Sequence, residues 1–221
     1  MEVLNRKKNE GKCVYEKRKK CLHPQEGDKC RKIGCPHFKR KVTTYYLTLS
    51  QVFPSTHARA GQPTNFRAAF NNAQMCAKCQ EKPKGMCMGE CVVGYLKKHT
   101  IRANYEFWAK RFEKIAAGEA VLSIREWVGK PYGKGSTQRE IALLTREDGI
   151  GLQKMTVAGT CTCHPIFVDG VSVPVKRLAA NDGLSDPDWR NWFEGYDLTE
   201  PLAVIQFTKF RYKYEKNQVQ R

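Results

Sequence analysis

Apolar positions recur along residues 42–212 with two alternating periods, and the pattern predicts a body of short strands with a few helices. Val42 to Val52 is rich in β-branched and aromatic residues and reads as a strand that Pro54 stops. A short helix is expected around Asn65 to Ala73. Asn104 is placed to cap a second helix, Tyr105 to Ala117, whose Trp108, Phe112, Ile115 and Ala116 share one face and which Gly118 ends. Ala120 to Val128 reads as a strand, and a Gly/Pro/Lys loop, Gly129 to Ser136, leads to another near Glu140 to Thr145. Leu152 to Val157 and Ile166 to Val175 follow, the latter turning at Asp169-Gly170, a strong hairpin signal. A short helix at Asp186 to Phe193 precedes a last strand, Leu202 to Phe210. The expected class is α+β: a small β-barrel with flanking helices. No internal repeat, Walker loop, Rossmann glycine fingerprint or nucleophile elbow is visible.

Outside that body the pattern changes. Residues 1–41 have little periodicity and form a basic, cysteine-bearing arm, and 213–221 read as a charged, loose tail. The arm carries 14 Lys/Arg against 5 Asp/Glu, about half of the chain's net charge of +17 on fewer than a fifth of its residues. Charge concentrated in this way favours a polyanionic partner over an even solubilising coat. The arm shows no amphipathic apolar face, and no run of 18 apolar residues occurs. A membrane partner is therefore not expected. The charged N-terminus lacks the apolar stretch of a secretion signal, so the expected location is cytoplasmic.

Ten cysteines in a reducing compartment point to metal rather than disulfides. Cys76-x2-Cys79-x7-Cys87-x3-Cys91, an insertion at 75–92, is a compact four-thiolate set suited to structural zinc, with free thiols or an iron–sulfur cluster as the alternatives. Four thiolates leave no open position, which argues against a catalytic ion. Cys13, Cys21, Cys30 and Cys35 are spaced more loosely, and His23 or His37 can stand in for one of them. Zinc there would order the arm and turn Lys17, Arg18, Lys19, Lys20, Arg31, Lys32, Arg40 and Lys41 into a fixed phosphate-binding patch. Cys161-x-Cys163-His164 reads instead as hairpin or buried cysteines, since no second pair is evident to complete a metal site.

Two stretches of the body resemble the ASCH family of the PUA-like superfamily. One is Lys97-x-x-Thr100-Ile101-Arg102; the other is Leu178-Ala179-x-Asn181-Asp182-Gly183-Leu184-Ser185, followed by Trp189, Trp192-Phe193 and the strand Ala203 to Thr208. The resemblance covers roughly Val42 to Tyr212. It implies a PUA-like barrel whose cleft receives RNA or a modified nucleoside. Some ASCH members are similar to amidohydrolases that deacetylate N4-acetylcytidine with a Lys, a Thr and an acidic residue. By motif these are Lys97, Thr100 and Asp182 here, with Arg102 as a clamp for a phosphate or oxyanion. The chain departs from that pattern in having Asp where Glu is usual, in His99, and in its added cysteine modules.

The expected function is therefore nucleic-acid binding, RNA foremost. Trp127 offers a stacking surface, and Lys130, Lys134 and Arg139 a basic wall. Trp108, Trp189 and Trp192 are further candidate stackers, Trp108 being better placed for the core. The competing expectations are an amidohydrolase acting on an acylated nucleoside, a ribonuclease using the same pocket, and a protein-interaction adaptor whose zinc modules grip a partner.

Overall fold

The computed structural model describes residues 16–17, 20–21, 42–80, 96–129, 131 and 133–214. The chain divides into two units, Met1–Thr43 and Thr44–Arg221. In the first, strands β1 (Glu16–Lys17) and β2 (Lys20–Cys21) pair antiparallel, with Lys17 opposite Lys20 and Glu16 opposite Cys21. Cys13, Cys30, Cys35, His23, His37, Arg18, Lys19, Arg31, Lys32, Arg40 and Lys41 of the arm, together with Cys87, Cys91 and Lys130, lie outside the described residues.

The second unit is α+β. Among the described residues it holds four helices and two sheets: α1 (Phe66–Gln80), α2 (Tyr105–Ala116), α3 (Val175–Asn181) and α4 (Asp186–Phe193), with strands β3 (Thr43–Leu49), β4 (His99–Arg102), β5 (Ala120–Val128), β6 (Thr137–Leu144), β7 (Gly151–Val157), β8 (Ile166–Val168), β9 (Val171–Ser172) and β10 (Leu202–Gln206). The order is β3-β5-β6 in one sheet and β4-β10-β7-β8-β9 in the other. The strands thus form two open sheets where a closed barrel is the sequence expectation. Short strands with turns every few residues have the same signature in both architectures, and only the pairings separate them.

Local chemistry accounts for most elements. Asp169 and Gly170 both have positive φ, 48° and 78°, the conformation a two-residue hairpin needs, and they join β8 to β9. The α2 face of Trp108, Phe112 and Ile115 is buried against β5, β7 and β10, so this helix seals both sheets. Ala116, expected on that face, is exposed, because the helix ends there before completing another turn. Asn104 caps α2 by accepting from the Phe107 amide at 3.1 Å, and it does so at φ 60°. Asn104→Ala loses the cap and strains the backbone, and is expected to cost about 1–2 kcal/mol in chemical denaturation, whereas Asn104→Gly costs a few tenths.

Helix α3 has no counterpart in the sequence expectation. It runs for only two turns beyond Pro174 and ends where Gly183, at φ 78°, turns the chain. Ser185 then caps α4, accepting from the Asp188 amide and donating to the Asp188 carboxylate at 2.8 Å. Trp189 is fully buried and packs on Phe193 with ring centroids 4.5 Å apart, so it belongs to the core and offers no face to a base. Trp192 is half-buried among Phe53, Phe66 and His57. No described helix is long and apolar enough to cross a membrane.

Candidate functional site

Three segments meet around Lys97. Its amide donates to Ala69 O of α1 at 2.9 Å, and its backbone bridges Asp182 at the end of α3. The next residue continues the junction: the Lys98 amide donates to Asn181 O at 2.7 Å, and its carbonyl accepts from the Phe207 amide at 2.8 Å. Gly183 is required here for two reasons. Its φ is positive, and a Cβ on it would stand 3.2 Å from Lys97 Cβ and 3.4 Å from Ala69 Cβ.

Lys97 and Asp182 are 1% and 4% exposed. The ammonium pairs with the Asp182 carboxylate, donates to the Asp182 carbonyl at 2.7 Å, and lies 3.8 Å from the centroid of the Phe66 ring. Burial pushes Lys97 below its ordinary range, and the Asp182 charge opposes that; the Arg102 charge adds to the lowering. Burial likewise pushes the Asp182 carboxyl up against the opposing pull of Lys97. The Trp189 indole N–H draws on the same carboxylate but does not reach hydrogen-bonding geometry. Desolvation therefore works toward the neutral form on both partners, and the pair persists because each supplies the other's counter-charge.

Thr100, the third member of the expected triad, is buried on β4 opposite Ile205 and makes no hydrogen bond to Lys97 or Asp182. Two of the three residues are thus brought together, and all three are buried where an open cleft is the expectation. A cavity of about 300 Å³ has Ala69 and Gly183 in its wall beside Asn65, Arg59, Ser185 and Asp188; Lys97 packs behind Gly183 and does not line it. Arg102, expected as a clamp, donates to Thr48 O at 2.8 Å and ties β4 to β3.

Beside the pair lies a polar cluster that the sequence does not announce. His99 is fully buried; its Nε2 is 2.9 Å from the Tyr212 hydroxyl, which also accepts from Asn181 Nδ2 at 3.0 Å. Burial, followed by the charges of Lys97 and Lys98, holds the imidazole well below its usual pKa, so the ring is neutral. Among the described residues the phenol is the one hydrogen-bond partner of the ring, since Nδ1 is buried without one. Gln153 completes the cluster: it accepts from the Tyr212 amide at 2.9 Å and from Gln206 Nε2 at 3.1 Å. Only the spacing of His99 from Lys97 hints at this cluster in the sequence; Tyr212 is more than a hundred residues away.

The residues expected to form a basic wall are spread along β5 and β6. Trp127 is half-buried opposite Gln138. Lys134 is exposed in the connecting loop, and Arg139 pairs with Glu126. Arg67 joins the same carboxylate at 2.9 Å; burial would raise Glu126, but hydrogen bonds from Arg139 and Gln51 and the charges of Arg67 and Arg139 hold it below the usual carboxylate range. Trp127 and Arg139 point to opposite faces, since neighbouring positions in paired strands alternate. On the Trp127 face stand Arg125 and, from β3, Tyr46. The Arg125 guanidinium lies 4.1 Å from the centroid of the Tyr46 ring, and Tyr46 is 52% exposed. Tyr46 is legible in the sequence only as a strand residue; its pairing with Arg125 needs the fold.

Of the metal candidates, Cys76 and Cys79 fall in the last turns of α1, which runs on past the expected end at Ala73 into the expected insertion; a helical i, i+3 spacing still places two positions on one side. Cys76 is half-buried and lines a cavity of about 410 Å³ with Lys98, Thr208 and Phe210. Cys161, Cys163 and His164 stand in the loop between β7 and β8. That loop is a turn, not an extended strand, and it brings all three ligand atoms within 4.8 Å of one another. The two cysteines form a disulfide. Compared with protein-family models, with curated proteins and with solved structures, the chain finds no match.

Proposed function

We propose that this chain binds single-stranded RNA along the outward face of the β3-β5-β6 sheet. The observation that carries the reading is the row of Tyr46, Arg125 and Trp127 on one sheet face, Tyr46 exposed and the other two half-buried. Every base has a π-face, so aromatic rings on a sheet accept a strand without regard to sequence, while an arginine between them meets the phosphate. Arg125 is held at this face beside the Tyr46 ring. Its Nε donates to Ser123 Oγ at 3.0 Å, and that hydroxyl donates to Glu140 at 2.5 Å. The net charge of +17 favours the same partner. In this reading the body is an ASCH-type, PUA-like domain, and zinc held by Cys76, Cys79, Cys87 and Cys91, and by the cysteines of the arm, orders its basic additions.

Fluorescence anisotropy with a labelled single-stranded RNA tests this. Tyr46→Ala and Trp127→Ala are each expected to weaken binding by about 1–3 kcal/mol. Affinity should also fall as salt rises from about 50 to 200 mM, with a slope near −0.7 per phosphate neutralised. Wild-type affinity in both variants would overturn the assignment of this face, and a flat salt response would overturn the phosphate contacts. Repeating the titration with DNA of the same sequence reads the preference for RNA.

A second reading, hydrolysis of an acylated nucleoside, draws on the opposed shifts of Lys97 and Asp182, since perturbed pairs of this kind favour proton transfer. Acetate release from N4-acetylcytidine that Thr100→Val abolishes would favour it. Binding without turnover favours the RNA reader.

A further inference from the structure

We infer that Cys161, Cys163 and His164 form a zinc site that exists only when the two cysteines are dithiols. This rests on donor geometry and is independent of the RNA reading. His164 Nδ1 lies 3.0 Å from Cys161 Sγ and 3.5 Å from Cys163 Sγ. Two sulfurs about 2.3 Å from a tetrahedral ion stand about 3.8 Å apart, so opening the S–S bond by a small rotation of two side chains leaves three donors facing one point. Two thiolates and an imidazole suit zinc, and three protein ligands leave its fourth position open to water or a solute anion.

The loop is built to hold this shape. Ala158 N donates to Pro165 O at 2.9 Å and closes its base, and the His164 amide donates to Cys161 O at 3.2 Å. Between the two cysteines, the Thr162 carbonyl accepts from Arg190 Nη1 of α4 at 2.6 Å, and the same guanidinium is braced on Asp186 at 2.7 Å. The imidazole lies on the backbone of Gly159: a Cβ there would stand 2.5 Å from His164 Cγ and Nδ1. Only a glycine lets the ring come this close. Cys163 and His164 are exposed and Cys161 is half-buried, so an ion reaches the donors from solvent.

Metal and disulfide exclude one another, because a sulfur bonded to sulfur has no thiolate to give. Two molecules of a low-molecular-weight thiol together supply two electrons and two protons, converting the protein disulfide into two thiols, and leave as their own disulfide. Zinc then displaces both thiol protons to solvent. The loop is thus a metal site gated by redox state.

The test uses the full chain and zinc alone. Protein reduced with a phosphine, loaded with zinc and desalted is measured for zinc per chain, alongside a Cys161→Ser/Cys163→Ser double variant whose circular dichroism confirms an intact fold. The variant is expected to hold one zinc fewer than wild type, whatever the remaining cysteines bind, and the difference should vanish when both proteins are oxidised first. Equal zinc content under reducing conditions, or a difference that survives oxidation, would overturn the site. Gly159→Ala removes no donor but displaces the imidazole, and is expected to weaken this zinc by about 10- to 100-fold in a chelator competition, the range seen when a ligand loses its positioning partner. Unchanged affinity in that variant would remove His164 from the site.

Discussion

Asp182→Ala is expected to lower the unfolding free energy by about 3–5 kcal/mol, read from the denaturant midpoint at unchanged slope, because it leaves the Lys97 ammonium buried without a counter-charge. Lys97 lies against the Phe66 ring and retains one carbonyl, which does not neutralise it. The informative companion is the Lys97→Met/Asp182→Leu double variant. Removing both charges with apolar groups of similar volume is nearly neutral in stability, so this protein should unfold close to wild type. A loss in Asp182→Ala below about 1 kcal/mol, the level of an exposed pair, would show that the pair is solvated. The double variant also separates two roles of the junction. If it folds and binds RNA as wild type does, the pair serves the scaffold; if it folds and loses only the recognition of a modified nucleoside, the pair serves that recognition.

Acidification below pH 6.5 is expected to destabilise the protein through His99, by about 1.4 kcal/mol for each pH unit until the ring protonates in the fold. In the unfolded chain this histidine takes up a proton near its ordinary pKa. In the fold, burial and the charges of Lys97 and Lys98 keep the proton off. Between those two values the unfolded state binds more protons, so stability falls with falling pH. Asp182 works the other way, since its raised carboxyl gains a proton in the fold first. Glu126, held low, adds to the loss only near and below the usual carboxylate range. His99→Gln keeps a polar end toward Tyr212 without titrating. Thermal melts between pH 7 and 5.5 should therefore show a flatter pH dependence in this variant. Equal slopes in both proteins would mean that His99 is protonated in the fold.

Sequence and structure agree best where the signal is local. The Asp169-Gly170 turn, the Asn104 cap, the α2 face and the span Ala120–Val128 are readable because each is fixed by residues within a few positions of one another. What is not readable depends on pairing at a distance. The Lys97 and Asp182 motifs can be matched one by one, yet only the bridge between them shows that they meet, and that Thr100 does not join them. The barrel expectation fails for the same reason. At Cys161 the sequence shows no second pair of ligands, and only the turn between Ala158 and Pro165 brings His164 onto the two cysteines. Burial of charge is equally invisible, since lysine and aspartate belong on surfaces by default.

The strand order of the larger sheet bears on how the chain matures. Among the described residues β10 is the last strand in sequence, yet it occupies an interior place, hydrogen-bonded to β4 on one side and β7 on the other, with all five residues buried. During synthesis β7, β8 and β9 can pair once Ser172 is made, but β4 has no strand neighbour in this sheet until Leu202–Gln206 arrives to join it to β7. The β5–β6 hairpin, by contrast, is complete as soon as Leu144 is made. On the ribosome one half of the body can settle while the other waits, its apolar surface unsatisfied, for a single closing segment.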